Sequence, residues 1–254
     1  DDHGKIDHRE DPNITLTTKD EPTSNTVTIT AENKNDTANV TLQDVFINRE
    51  KASDSDAKAA LTVKGDGKTN IELNGNNTLS STGAHAGLEK TDAECSGTLT
   101  ITDDKNDDGS EKEEKDKYGY STGGDTGTLD VIGGGEGGAG IGGQGTNNYW
   151  DSSSDPGAQN IHSTSNITIT GGSIRAGKTP TGCDRDYHWA TGAGIGSGNA
   201  DYSKNAGNGT DITITGNADV VATGGRYSAG IGGGYNGNGS DIIISGNAKV
   251  VASG

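Results

Sequence analysis

The chain has 254 residues, of which 43 are Gly, one is Phe and none is Met, and only 27% are hydrophobic. That apolar content is too small for a conventional globular core of this length. A formal net charge of −17 argues against nucleic acid as a partner, because its phosphates would be repelled, and disfavours polyanionic ligands unless a cation bridges them.

The chain opens DDHGKIDHRE, with no Met and no signal peptide. Residues 1–12 read as a polar extension of a processed protein or an excised fragment. No stretch approaches the roughly 20 apolar residues that span a bilayer, so no membrane insertion is expected. From residue 13 onward the apolar residues fall into short alternating runs, the rhythm of strands with one buried face rather than of disorder.

Taken in order, NVTLQDVFI (from Asn39) and AALTV (from Ala59) form a divergent copy of a repeated unit. TNIELNGNNTLSSTGAHAGLE (from Thr69) carries three apolar segments, ending in Ala86-Gly-Leu88. GTLTIT (from Gly97) is followed by a charged insertion near 103–127, then by GTLDVIGG and GAGIGG. A second insertion occupies about 144–164 and a third about 177–191, on either side of SNITITGGSIRAG (from Ser165). TGAGIGSGN (from Thr191) supplies the third segment of that copy. The clearest unit, TDITITGNADVVATGGRYSAGIGGGYNGNG (from Thr210), begins again as SDIIISGNAKVVASG at Ser240, an offset of 30 residues.

Three short strands per repeat, joined by Gly, Asn and Asp, predict an all-β fold: a right-handed parallel β-helix forming one domain over 13–254. Each strand pairs with its equivalent about 4.8 Å away in the next coil. Alternation turns Ile212, Ile214, Val220, Ala222, Ala229 and Ile231 inward, with counterparts Ile167, Ile169, Ile174, Ala176, Ala193 and Ile195. Such a core is a narrow line, so few hydrophobic residues suffice. A propeller needs about four strands per 40–45 residues, and a sandwich needs hairpins and longer strands. The glycines of AGIG are expected at corners and on outward positions. There they either permit a sharp turn or leave a bare backbone strip for a ligand or neighbouring chain. The sequence stops at VVASG, where the preceding copy goes on to a third strand, so continuation beyond Gly254 is expected.

Tandem modules of the form ITITGG…ATGG…GAGIGGG resemble the β-helical repeats of large secreted or cell-wall-attached proteins of Gram-positive bacteria. The likeness is clearest from about Gly127 to Gly254, weaker from Asn39 to Glu89 and absent from the first dozen residues. Some related modules are described as carbohydrate-binding, with a shape like the pectate-lyase superfamily. The resemblance implies an extracellular surface protein, an adhesin or glycan binder. No catalytic motif carries over.

Candidate sites fall on loops over this scaffold. Tyr149, Trp150, Tyr202 and Tyr235 follow AGIG strands, and Tyr187, Trp189 and Tyr227 precede them. Their rings either cover loop bases or share one platform on which sugar C–H faces pack. In CDRDYHWATG, Asp184, Arg185, Asp186 and His188 are placed to hydrogen-bond hydroxyl groups. The candidate ligand-binding set is therefore Tyr149, Trp150, Asp184, Arg185, Tyr187, His188, Trp189, Tyr227 and Tyr235. Asp104, Asn106 and Asp108, followed by Gly109, match the first half of a calcium loop, but Lys115 stands where the closing acid belongs. They form either a Ca2+ site completed by another loop or a solvated charged insertion. Cys95 and Cys183 fit no zinc spacing and are either a disulfide or two unrelated thiols. The outward Thr168 and Thr213 resemble the ladder of ice-binding β-helices, but the ladder breaks at Ile243. The five histidines show no triad spacing.

The expected function is a non-catalytic extracellular binding module for polysaccharide or host glycoprotein. The alternatives are a stalk without a ligand, a direct binder of host protein, and a polysaccharide lyase or hydrolase.

Overall fold

The computed structural model describes residues 14–18, 21–49, 56–103, 127–145, 162–177, 192–199 and 207–254. Over these residues the chain is a parallel β-helix with three faces. The first face stacks seven strands: Ile14–Leu16, Thr37–Gln43, Lys68–Asn74, Thr98–Asp103, Ile167–Ile169, Gly209–Ile214 and Gly239–Ile244. The second stacks Phe46–Asn48, Asn76–Ser80, Thr128–Ile132, Ser173–Ala176, Asp219–Thr223 and Lys249–Ser253. The third stacks Val27–Thr30, Leu61–Lys64, Leu88–Glu89, Ile141–Gly142, Ile195–Gly196 and Ile231–Gly232. A first turn, marked in sequence by the alternation TVTIT at Thr26–Thr30, precedes the copies read from the repeat.

Equivalent side chains meet in single file. Ile71, Ile101, Ile169, Ile214 and Ile244 stand in one register column on the first face. Leu79, Val131, Ala176, Ala222 and Ala252 form one on the second. Ile71, Ile101, Ile169 and Ile214 are all 0% exposed. At about 25 cal/mol per Å2 of apolar surface, each such side chain contributes on the order of 2 kcal/mol. Ile244 is 52% exposed, although it keeps the register, because its strand is the last on its face.

Asn166, Asp211 and Asp241 take left-handed backbone angles, φ 57°, 51° and 53°. The register runs Thr210 to Ser240 and Ile212 to Ile242, so Asp211 and Asp241 form a matched kink, left out of the pairing, in both strands. Asn and Asp tolerate this conformation better than other side chains. That is why one of them precedes each Ile-x-Ile in these turns.

The AGIG phrases build a closed arch. The amide of Ala139 donates to the carbonyl of Gly143 (3.1 Å), Ala193 to Ser197 (2.9 Å) and Ala229 to Gly233 (2.9 Å). Gly142, Gly196 and Gly232, paired in register, have φ of 131°, 141° and 124°, which only glycine adopts readily. A Cβ on Gly194 would lie 2.6 Å from both the Gly230 carbonyl oxygen and the Thr223 amide nitrogen. The expectation of an outward glycine strip is corrected here. These glycines are buried, and the close approach they permit is that of the next coil's own backbone.

Candidate functional site

Most of the predicted site lies outside the described residues: Tyr149, Trp150, Asp184, Arg185, Asp186, Tyr187, His188, Trp189 and Tyr202, and the candidate cation ligands Asp104, Asn106 and Asp108. Cys183 is outside as well, whereas Cys95 is buried and unpaired. Tyr227 and Tyr235 are described, and so are the backbone stubs from which the insertions spring.

Those stubs are gathered by the stacking. Segment 178–191 interrupts the corner between the second and third faces, and segments 146–161 and 200–206 interrupt the corner between the third and first. The third face is only two residues wide in these coils, so the two corners lie close together. The Gly192 amide donates to the Gly138 carbonyl (3.1 Å) and the Asn199 amide to the Gly137 carbonyl (2.7 Å). Gly145 packs on the backbone of Gly137 as well. One end of each of the three segments therefore meets a single turn, Gly137–Gly138. The Gly225 amide donates to the Gly192 carbonyl (3.1 Å), which extends this corner to the turn that holds Tyr227.

Tyr227 is 62% exposed. Its ring centre lies 5.7 Å from that of the half-buried Tyr235, at an interplanar angle of 48°. The Arg226 guanidinium carbon sits 4.9 Å from the Tyr227 ring centre, a cation–π contact. Tyr227 has φ 66°. The arch register aligns Ala229 with Ala139, so Tyr227 occupies the position of Gly137, whose φ is 101°. A large ring thus stands, in a left-handed conformation, where the coil of Gly137 uses glycine. The left-handed conformation disfavours such a residue by roughly 1–2 kcal/mol.

Two further features were not legible in the sequence. His85 Nδ1 lies 2.8 Å from Glu89 Oε2, which also accepts from the Ala86 amide at 3.2 Å. This pair clamps the arch of Ala86-Gly-Leu88, the third coil's version of the motif. His162 sits under the loop bases. It is buried, with Nδ1 2.7 Å from the Gln144 carbonyl oxygen, while its own carbonyl accepts from Gly198 (2.9 Å). Burial pushes its pKa below the ordinary histidine value, only partly offset by the bond to Gln144. Among the described residues no group of three or more His, Cys, Asp or Glu is placed to hold a metal ion. No helix among them is long and apolar enough to cross a membrane.

No known family model matches the chain, and neither a curated relative nor a solved structure of similar form was found.

Proposed function

We propose that the protein is a non-catalytic extracellular binding module, of the adhesin kind its repeats resemble, that holds glycan, free or on a host glycoprotein. The observation that carries this reading is Tyr227. It is exposed, paired with Tyr235, and kept in a backbone conformation where the equivalent turn uses Gly137. Strain of this kind persists where something other than stability retains it. The gathering of three loop stubs at Gly137–Gly138 supports a shared aromatic surface, because the segments that carry Trp150 and Trp189 in sequence leave the described scaffold at the corners that bear Tyr235 and Tyr227.

A polysaccharide and glycoprotein array, followed by titration calorimetry on any hit, tests the proposal. Binding that is weakened in Tyr227→Gly, Trp150→Ala and Trp189→Ala is the expected result. No binding to any glycan, or binding indifferent to all three changes, overturns it. The continuous aliphatic columns also suit a ligand-free spacer, and the absence of binding to any glycan is the result a spacer gives.

A further inference from the structure

We infer that the corner bearing Tyr235 selects uncharged, hydroxyl-rich sugar units over uronates, an inference that rests on the glycan-binding reading above. The corner carries two asparagines, Asn208 and Asn238, stacked one coil apart. Asn208 Oδ1 accepts from the backbone amide of Asn238 (3.1 Å) and from Asn238 Nδ2 (3.3 Å).

A backbone N–H must meet an oxygen, so the orientation of the Asn208 amide is fixed by the first of these bonds. The second fixes Asn238. What remains is an edge with one N–H2 donor (Asn208 Nδ2) and one carbonyl acceptor (Asn238 Oδ1), neither used in a hydrogen bond among the described residues. A donor and an acceptor held side by side match a pair of hydroxyl groups, each of which gives and takes one bond.

Tyr235 begins the same turn, closed by the Gly237 amide on the Gly234 carbonyl (2.8 Å). Tyr235 lies three residues before Asn238, and its pairing with Tyr227 supplies an apolar face on the same turn.

The surrounding charge decides between neutral and acidic sugars. Asp211 and Asp241, both exposed, follow Asn208 and Asn238 by three residues in each coil. Among the described residues the cation beside these turns, Arg226, lies over the Tyr227 ring. With a net charge of −17 for the chain, a carboxylate on the ligand meets net repulsion.

The experiment measures binding of the full chain to neutral polysaccharides (a β-glucan, a xylan, a galactomannan) and to polygalacturonate and alginate, in chelator-treated buffer. Asn208→Asp serves as the test variant. It keeps an oxygen for the Asn238 amides but replaces the free donor by a carboxylate oxygen. Expected are binding to a neutral polymer, weaker or no binding to uronates, and a loss of about tenfold in Asn208→Asp, the worth of one hydrogen bond, at an unchanged melting temperature. Preference for uronates, or full neutral-glycan binding by Asn208→Asp, overturns the inference. If Asn208→Asp binds like the parent while Tyr227→Gly does not, this inference fails and the glycan reading stands. If the parent binds no glycan, both fail.

Discussion

The rings of Tyr227 and Tyr235 touch across the third face, with 5.7 Å between centres, because the strand between them, Ile231–Gly232, is only two residues long. Substituting Tyr227 separates scaffold from function. Glycine relieves roughly 1–2 kcal/mol of left-handed strain, adds about 0.5–1 kcal/mol of unfolded-state entropy and loses a ring contact of about 0.5–1.5 kcal/mol. These nearly cancel, so Tyr227→Gly is expected to unfold within about 1 kcal/mol of the parent while losing glycan affinity. Denaturant titration checks the first part and calorimetry the second. A large loss of stability would make the ring structural.

The column of isoleucines predicts a gradient along the solenoid. Ile214→Ala opens a cavity in a fully buried line and is expected to cost about 3–4 kcal/mol. Ile244→Ala, at the same register but 52% exposed, should cost less than half as much. Paired chemical-denaturation curves decide it. Because repeat arrays need not unfold in one step, transitions should be followed by two probes.

Gly194→Ala tests the reading of the AGIG arch. Its Cβ would stand 2.6 Å from two backbone atoms of neighbouring strands, which cannot rotate aside as a side chain can. Overpacking of this kind is expected to cost about 3 kcal/mol, seen as a lowered melting temperature. An unchanged melting temperature would mean that the third face is not tightly nested and that the arch does not require glycine at this position.

Much of the architecture was legible because the fold repeats. Ile-x-Ile at matched offsets could only be a stacked inner face, and Ile169, Ile214 and Ile244 do stand in register. The glycines misled, since composition does not tell a glycine bare to solvent from one pressed on a neighbouring backbone. Gly194 needs the next coil, distant in sequence, to explain it. The strain at Tyr227 was hidden for the same reason: it shows only when Ala229 is aligned with Ala139 and the turns are compared angle by angle. The remaining candidate aromatics sit in insertions, which the repeat does not constrain.

His162 gives a pH dependence with a defined sign. Its folded pKa lies below the ordinary value of 6.5, so in the interval between the two the unfolded chain binds the extra proton. Stability is full above about pH 6.5 and falls as the pH drops through that interval to the lowered value. Melting curves from pH 7.5 to 4.5 should show a parent-minus-variant difference that shrinks on acidification when compared with His162→Gln. The comparison cancels the general effect of protonating the many carboxylates. A constant difference would sink the assignment.

Lys90 is the least expected member of the core. The register pairs Leu61 with Leu88 and Thr62 with Glu89, which sets Lys90 opposite Val63 at an inward position. It is fully buried, and Nζ donates to the Cys95 carbonyl at 3.1 Å. Burial lowers its pKa, against the smaller opposing effects of Cys95 and Asp92. Below the lowered value the charged amine is held inside the helix at full desolvation cost. As the pH rises from there toward 10.5, the unfolded chain keeps a proton the folded chain sheds, so stability increases. Lys90→Met keeps the length and removes the charge, at the loss of one hydrogen bond. It is expected to raise stability at neutral pH by about 1–2 kcal/mol and to abolish the alkaline rise. Denaturation curves at pH 7 and pH 10 measure both. A destabilised Lys90→Met would instead show that the bond to Cys95 outweighs the buried charge.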